Sequence, residues 1–527
     1  MMYKVRNKFI TNECNNNKIN ITDKKIIFLG CGAVAKCCLY YFSNFFIFDY
    51  NKVIMIDKLI KEKYFPVIKY YLKKNALFLN RKITEDNCKE FLDSLNLKEK
   101  DIIIDLTTRT PTLCIFKYCR LNNLFYINTA SEQFLLKGIN SIAVQHCNYF
   151  DIVRKTENYC DTLSGLKCNN VTTIIEYGMN PGLISSFILK GIDDIALYFI
   201  NEKDKENNKD DKLIELYKLK NKERYSLLAR KLGIRVIHCS EIDTQVVTSN
   251  TLVKDKFYNT WSCVGLIDEA YEGVELAVGT HEKEIPLPQY QIFINGIFSS
   301  STLCLDTKIK SIAPLKIENN NVIFTEFEGY PIQHGECCSL YRLLSTHDYA
   351  PTMHYVYKLN KYAENIINKY NETELTKISL DPNRWEVLNA HNHDIEGYDN
   401  IGAFFILDND SENNSENNLK SNFTWWCGTI LSNDYAKNVL KDKINSATLI
   451  QVMCGVLGGL YWALLPENQN KGLCFGEDID YKTVFSITEK LLGKIYSNKT
   501  YGVNISGSKL VDLIATPIQT RTKFTHI

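Results

Sequence analysis

Over the first 130 residues, short unbroken apolar runs alternate with segments whose apolar positions recur at helical spacing. Residues 25–29 form the first run and stop at a glycine; 53–56 stop at Asp57; 102–104 stop at Asp105; 125–127 stop before Asn128 and Thr129. Such runs, bounded by turn-forming residues, predict strands buried on both faces, as in a parallel sheet. Residues 112–121 predict one of the intervening helices. Strands and helices in alternation imply right-handed crossovers, with ligands bound beyond the carboxyl ends of the strands. Near Val171 the texture changes. Residues 171–176 predict another strand, and Gly178-Met-Asn-Pro-Gly182 predicts a turn. From there to about residue 430 the elements are mixed, with strands expected at 289–297 and 322–327. The polar segments 202–212 and 409–422 read as solvated insertions.

Residues 30–35, Gly-Cys-Gly-Ala-Val-Ala, follow the first run and open a helix. Gly30 and Gly32 permit a tight turn and the close approach of a pyrophosphate, whose charge a helix N-terminus stabilises. Ala33, Val34 and Ala35 begin that helix, and alanine at the last position serves helix–strand packing. Asp57 ends the next strand, where a carboxylate accepts hydrogen bonds from a ribose 2′-hydroxyl and repels a 2′-phosphate. Motif and context predict an α/β chain whose N-terminal Rossmann domain binds NAD in preference to NADP. Lys58 softens that preference, and a glycine turn with an incidental aspartate is the alternative. Thr107 and Thr129, just beyond the third and fourth strands, complete the expected cofactor site. The expected division is a Rossmann domain over 1–170 and a mixed α+β substrate and dimerisation domain over 171–435. Helices within about 436–500 are expected to pack back onto the first domain.

Composition adds exclusions. The chain is 45% hydrophobic and 23% charged with a net charge of +1, which fits a globular protein and points to neither nucleic acid nor a polybasic membrane patch. Its 18 cysteines show no C-x-x-C spacing and lie in apolar runs, as reduced core thiols do. Residues 1–20 lack an apolar core of the signal-peptide kind, so a cytoplasmic location is expected. Residues 446–465 carry no charge and approach membrane-spanning length. Gln451, Gly455, Gly458 and Gly459 interrupt them and Pro466 follows, so a buried helix capped by Asn445 or Ser446 is the better reading.

Four stretches set polar groups beside glycine or aromatic residues: Gly178-Met-Asn-Pro-Gly182, Ser240-Glu-Ile-Asp-Thr-Gln245, Tyr258-Asn-Thr-Trp-Ser262 and Gly279-Thr-His-Glu-Lys283. In this order, with Glu269 eight residues after Trp261, they resemble the bacterial homospermidine synthases, relatives of the saccharopine dehydrogenases. Pro351-Thr-Met-His-Tyr355, Glu396-Gly-Tyr-Asp399 and residues 447–463 resemble later blocks, so the resemblance spans about residues 24–490. Around Glu132 the family's Pro–Trp is replaced by Gln133-Phe134, Gly335 replaces an asparagine, and a C-terminal family segment is unrecognisable near residues 501–508. The resemblance implies NAD-dependent oxidation of putrescine to an imine, transfer of the aminobutyl group to a second putrescine with loss of ammonia, and reduction by retained NADH. It implies a homodimer, and diamine substrates with spermidine as a further candidate. Asn180 and Pro181 would lie near the nicotinamide or the substrate nitrogen. Glu132 would be a pocket acid and His334 a pocket histidine.

The residue types themselves suit an amine. Trp261 offers a cation–π face, and Glu241 and Glu269 can accept ammonium hydrogen bonds and shuttle protons. In an extended segment Glu241 and Asp243 share one face. Against this, a buried tryptophan is ordinarily core and paired acids ordinarily a solvated face. His334 in His-Gly-Glu-Cys-Cys338 lacks a second Cys/His pair, so no metal is expected. His391 and His393 read as a polar loop, and His281 as part of a local ion-pair cluster. Two other functions stay open. One is a saccharopine- or carboxynorspermidine-type dehydrogenase, which would need cations for an amino-acid carboxylate. The other is a non-catalytic protein that binds NAD and polyamines.

Overall fold

The computed structural model describes residues 18–58, 66–110, 112–130, 171–205, 210–271, 273–283, 292–294, 297–303, 307–332, 334–408, 423–503 and 505–516. Its N-terminal part is a seven-stranded parallel sheet. In spatial order the strands are Leu473–Cys474, Thr173–Ile174, Phe125–Asn128, Ile102–Asp105, Ile26–Leu29, Val53–Asp57 and Leu77–Asn80. The four apolar runs are the central strands, and their side chains are almost wholly buried because helices cover both faces. The Thr112–Leu121 helix forms where the pattern put it.

Eleven further strands build a mixed sheet, and the others described pair in three two-stranded sheets. At the centre of the mixed sheet Ile234–Asp243 lies parallel to Thr352–Lys358 and antiparallel to Tyr398–Leu407. Alternation divides these strands cleanly. Val236, Ile242, Val356, Phe404 and Ile406 face a smaller core, whereas Ile237, Cys239, Tyr355, Tyr357 and Phe405 face the main one. Glu241 and Asp243 are in phase with Ile237 and Cys239, which fixes the side on which a site can form.

Several expectations change in detail. The strand expected at 171–176 is only Thr173–Ile174. The segment 202–212 is solvent-facing as expected where it is described, and it is helical: it ends the Leu183–Lys205 helix and begins the Asp211–Lys218 helix, which Asp210 caps by accepting from the Leu213 amide at 3.0 Å. Residues 322–327 lie inside the longer strand Asn321–Ile332. Of 289–297, Ile292–Ile294 is a strand and the Ile297–Leu303 strand begins at its end; 284–291 and 295–296 lie outside the described residues, as do 409–422.

The uncharged stretch is the helix Ala447–Leu464, buried along nearly its whole length. It packs against the Ala33–Phe45 helix and the Phe125–Asn128 strand. Ser446 stands at its N-cap without a capping side-chain bond. A Cβ at Gly455 would stand 1.8 Å from the Gly178 carbonyl oxygen, so this glycine lets the helix lie directly on the Gly178–Gly182 turn. That contact brings the helix N-terminal half beneath both sheets.

Candidate functional site

The carboxyl edge of the parallel sheet is shaped as a dinucleotide cradle. Gly30 has φ +81°, and a Cβ there would meet the Leu106 carbonyl oxygen at 2.7 Å, so the turn requires glycine. Gly32 stands at the N-cap of the Ala33–Phe45 helix, where its side chain cannot cap, and nothing lies within 4 Å of its missing Cβ. Ala33, Val34 and Ala35 form the first turn of that helix. Open space before uncapped helix amides fits a pyrophosphate. Asp57 accepts a 2.7 Å bond from the Cys31 amide, which holds its carboxylate beside the glycine turn, where a ribose hydroxyl would sit. Thr107 lies past Asp105 and donates to it at 2.7 Å, and Thr129 lies beside Gly178.

From this edge the Gly178–Gly182 turn leads to a cluster of buried acids. Glu241 and Asp243 are 5% and 3% exposed, and Asp399, directly opposite Asp243 across the strand pair, is 1% exposed. Asp243 is saturated: it accepts from Thr260 at 2.6 Å, from the Gln245 amide and side chain at 2.9 and 3.1 Å, and from Asn360 at 3.3 Å. Glu241 accepts from the Tyr355 hydroxyl. Burial pushes the Glu241 carboxyl up to about 7; the Tyr355 bond opposes this and the Asp243 charge adds to it. Asp399 is likewise raised well above the usual carboxylate range, by burial and by the charges of Glu241 and Asp243. Two carboxyls so placed hold one proton between them.

Aromatic residues wall this cluster. Tyr355 and Tyr357 stack with ring centroids 5.8 Å apart, Trp261 donates to the Tyr357 hydroxyl at 3.4 Å, and the His334 ring meets Tyr355 edge-on at 4.5 Å. Glu269, on the Cys263–Tyr271 helix, is close enough to Tyr355 for its charge to raise the phenol. Asn180 favours the charged form of Glu241, although its own amide atoms have no partner at full hydrogen-bond distance. His334 is buried and held neutral, its pKa depressed to about 3 by desolvation.

Asn180, Glu241, Asp243, Trp261, Glu269 and His334 therefore converge, and Pro181 lies in the turn between them and the cradle. Glu132 lies outside the described residues. Sequence reasoning missed Tyr355, Tyr357 and Asp399. The first and last stood in quoted blocks, but tyrosines on an apolar strand read as core. The bland readings hold elsewhere. His281 bonds the Ser508 carbonyl at 2.9 Å beside Glu282, and His393 pairs with Glu386 and Thr251.

Two family models match: the saccharopine dehydrogenase C-terminal domain over residues 178–498 and the saccharopine dehydrogenase NADP binding domain over 26–163. A homospermidine synthase of Blastochloris viridis is 25% identical over 504 residues, covering 92% of this chain and 93% of that protein. One from Mesorhizobium japonicum is 23% identical, covering 89% of each. Among solved structures, a homospermidine synthase from Legionella pneumophila in complex with NAD superposes with a TM-score of 0.73 at 24% identity, over 95% of this chain and all of that one. The apo saccharopine dehydrogenase of Saccharomyces cerevisiae follows at a TM-score of 0.51 and 10% identity, over 90% of this chain and all of that one. These structures share the fold: a Rossmann-like domain joined to a mixed-sheet domain.

Proposed function

The chain belongs to the saccharopine dehydrogenase family, and we propose that within it the protein is a homospermidine synthase using NAD. The observation that carries this reading is the acid cluster. Glu241, Asp243 and Asp399 are buried together, and among the described residues no lysine or arginine forms an ion pair with any of them. Buried carboxyls without a countercharge are costly unless the ligand brings the cation. A diamine does so. An amino-acid carboxylate would meet repulsion, which disfavours a saccharopine-type dehydrogenase.

Gly30, Gly32 and the helix start at Ala33, Val34 and Ala35 would hold the pyrophosphate of NAD, and Asp57 its ribose. Thr107, Thr129 and Pro181 would border the nicotinamide. Bound there, NAD supplies hydride removal from the amine-bearing carbon of putrescine and its later return. The chain does the rest. Glu241, with its proton partner Asp399, takes a proton from the substrate ammonium, leaving the amine able to become an imine. Asp243, saturated by its own donors, acts by holding strand geometry and by raising Glu241. Trp261 faces the cationic carbon–nitrogen unit, and Glu269 accepts hydrogen bonds from the incoming second putrescine. Asn180 orients the nitrogen. The second amine adds, ammonia leaves, and hydride return gives homospermidine, so two putrescines yield one homospermidine and one ammonia without net redox change. Burial keeps water from hydrolysing the imine.

The test is incubation of the purified protein with putrescine and NAD⁺, followed by mass spectrometry of the polyamines. Homospermidine with ammonia and no accumulating NADH is the expected result. NAD binding without any new polyamine would overturn the reading.

A further inference from the structure

The hydroxyl of Tyr355 has no part in the steps above, yet it meets Glu241 directly. Tyr355 lies on the Thr352–Lys358 strand, parallel to Ile234–Asp243, where Tyr357 is the Cα partner of Glu241 and Tyr355 that of Cys239. Both tyrosines face the main core, on the side of the sheet that carries Glu241. Their rings stack with centroids 5.8 Å apart and an interplanar angle of 16°, but their hydroxyls take different partners. That of Tyr355 donates to Glu241, whereas that of Tyr357 accepts from Trp261 Nε1 at 3.4 Å. His334, whose ring meets Tyr355 edge-on at 4.5 Å, adds a second contact to the Tyr355 ring.

The surroundings of Glu241 give this hydroxyl its weight. Asp243 lies on the same strand, Tyr355 and Tyr357 on one neighbouring strand, Asp399 on the other, and Asn180 in the Gly178–Gly182 turn. Glu269 acts on the Tyr355 phenol from its helix, and Glu336 acts on Cys239 from the Gly335–Leu344 helix. His334 is neutral. Each ionised group in this set is a carboxylate, and burial also opposes the charge of Glu241, so neutral donors are what stabilise it. Burial and the Glu241 charge raise the Tyr355 phenol well above its ordinary range, which keeps it protonated and a donor. We propose that Tyr355 is a positioning residue for the amine reaction: its hydroxyl fixes the Glu241 carboxylate and solvates its charge until the substrate proton arrives. This rests on the amine reading above for the reaction it serves.

The test is the pH profile of kcat/KM for putrescine in Tyr355→Phe, which keeps the stacked ring and removes only the hydroxyl; retained NAD binding certifies the fold. The inflection at about 7 moves up by about one unit, the loss of one hydrogen bond to a charge. In consequence kcat/KM falls roughly fivefold at about pH 7 and returns to within about twofold of the parent at about pH 9. Tyr357→Phe, which removes the partner of Trp261 instead, leaves the inflection in place. Placing 3-fluorotyrosine at Tyr355, a stronger donor, moves the inflection down. An unmoved inflection in Tyr355→Phe, whether kcat/KM equals the parent or is uniformly lower, overturns the proposal. Urea unfolding across pH reads the same coupling without turnover. Protonated Glu241 stabilises the fold, a contribution full below pH 4.5 and lost as pH rises to about 7. In Tyr355→Phe that loss extends about one unit higher, and in a Glu241→Gln background Tyr355→Phe has no such effect. An extended window in a protein that makes no homospermidine keeps the Tyr355–Glu241 coupling and counts against the synthase reading alone. Homospermidine production with window and inflection both unmoved counts against Tyr355 alone.

Discussion

Glu241 is the residue on which the chemistry turns, and its raised pKa makes two predictions. Activity needs its ionised form to accept a proton, so kcat/KM for putrescine should rise with pH up to about 7 and then level. Glu241→Gln should remove that inflection and lower kcat by roughly 100-fold or more, as steady-state assays across pH would show. Stability runs the other way. Because the folded pKa lies above the unfolded value of 4.5, the proton stabilises the fold; that contribution is full below pH 4.5 and lost as pH rises to about 7. Glu241→Gln should therefore be more stable than the parent at pH 8, by on the order of 2 kcal/mol, and similar at pH 4 in urea unfolding. A parent-like stability at pH 8 would show that Glu241 is not held against its charge. At this scale Glu241, Asp243 and Trp261 were legible because carboxylates and an indole break apolar texture. Tyr355, Tyr357 and Asp399 were not. Their proximity to Glu241 arises from strand pairing between segments more than 100 residues apart, which no local pattern carries.

Elements with a strong period were read well, and weakly amphipathic ones were not. The four central strands of the parallel sheet announce themselves by continuous burial. Leu77–Asn80 escaped notice because it is an edge strand whose side chains stay largely exposed, whereas Thr173–Ile174 lies inside the strand expected at 171–176 and is only shorter. The Ala447–Leu464 helix shows the converse. Its glycines look like interruptions in sequence, and in the fold all three are points of close approach. They differ in what they approach. Gly455 abuts the Gly178 backbone, whereas a Cβ at Gly458 would meet the Val484 Cγ1 at 2.7 Å, the end of a side chain that can rotate. Gly455→Ala should therefore cost about 3 kcal/mol or more and disturb the Asn180 turn, and Gly458→Ala about 1 kcal/mol. Paired denaturant titrations would check the order, and equal losses would refute backbone contact as the reason for Gly455.

For the whole molecule, the question is how a cofactor cradle on one sheet is kept in register with an amine cluster on the other. The tuning of Glu241 and the fit of the glycine turn have value only if the reacting atoms are held to a fraction of an ångström, since small misplacements are costly in rate. One clasp is visible. Arg109, two residues beyond Thr107 and held at φ +55°, makes a bidentate bond to Asp268 at 2.9 and 2.5 Å and reaches Ser379 at 3.0 Å. Asp268 precedes Glu269 on its helix, so the pair ties the cradle edge to the helix carrying a substrate acid. Neither partner was legible in sequence, because a lone arginine and a lone aspartate 159 residues apart carry no pattern. The pair is about one-third exposed, so its contribution to global stability is small, on the order of 1 kcal/mol. Its contribution to alignment is larger. Arg109→Ala should leave NAD affinity within about twofold and the pH inflection of Glu241 in place, while kcat/KM for putrescine falls about tenfold. High salt, which screens a partly exposed pair, should lower the parent toward the variant and leave the variant nearly unchanged. A variant with unaltered kcat/KM would mean that the two sheets are aligned by the Ala447–Leu464 helix alone. A variant that loses NAD binding would make Arg109 part of the cradle instead of a clasp between the two.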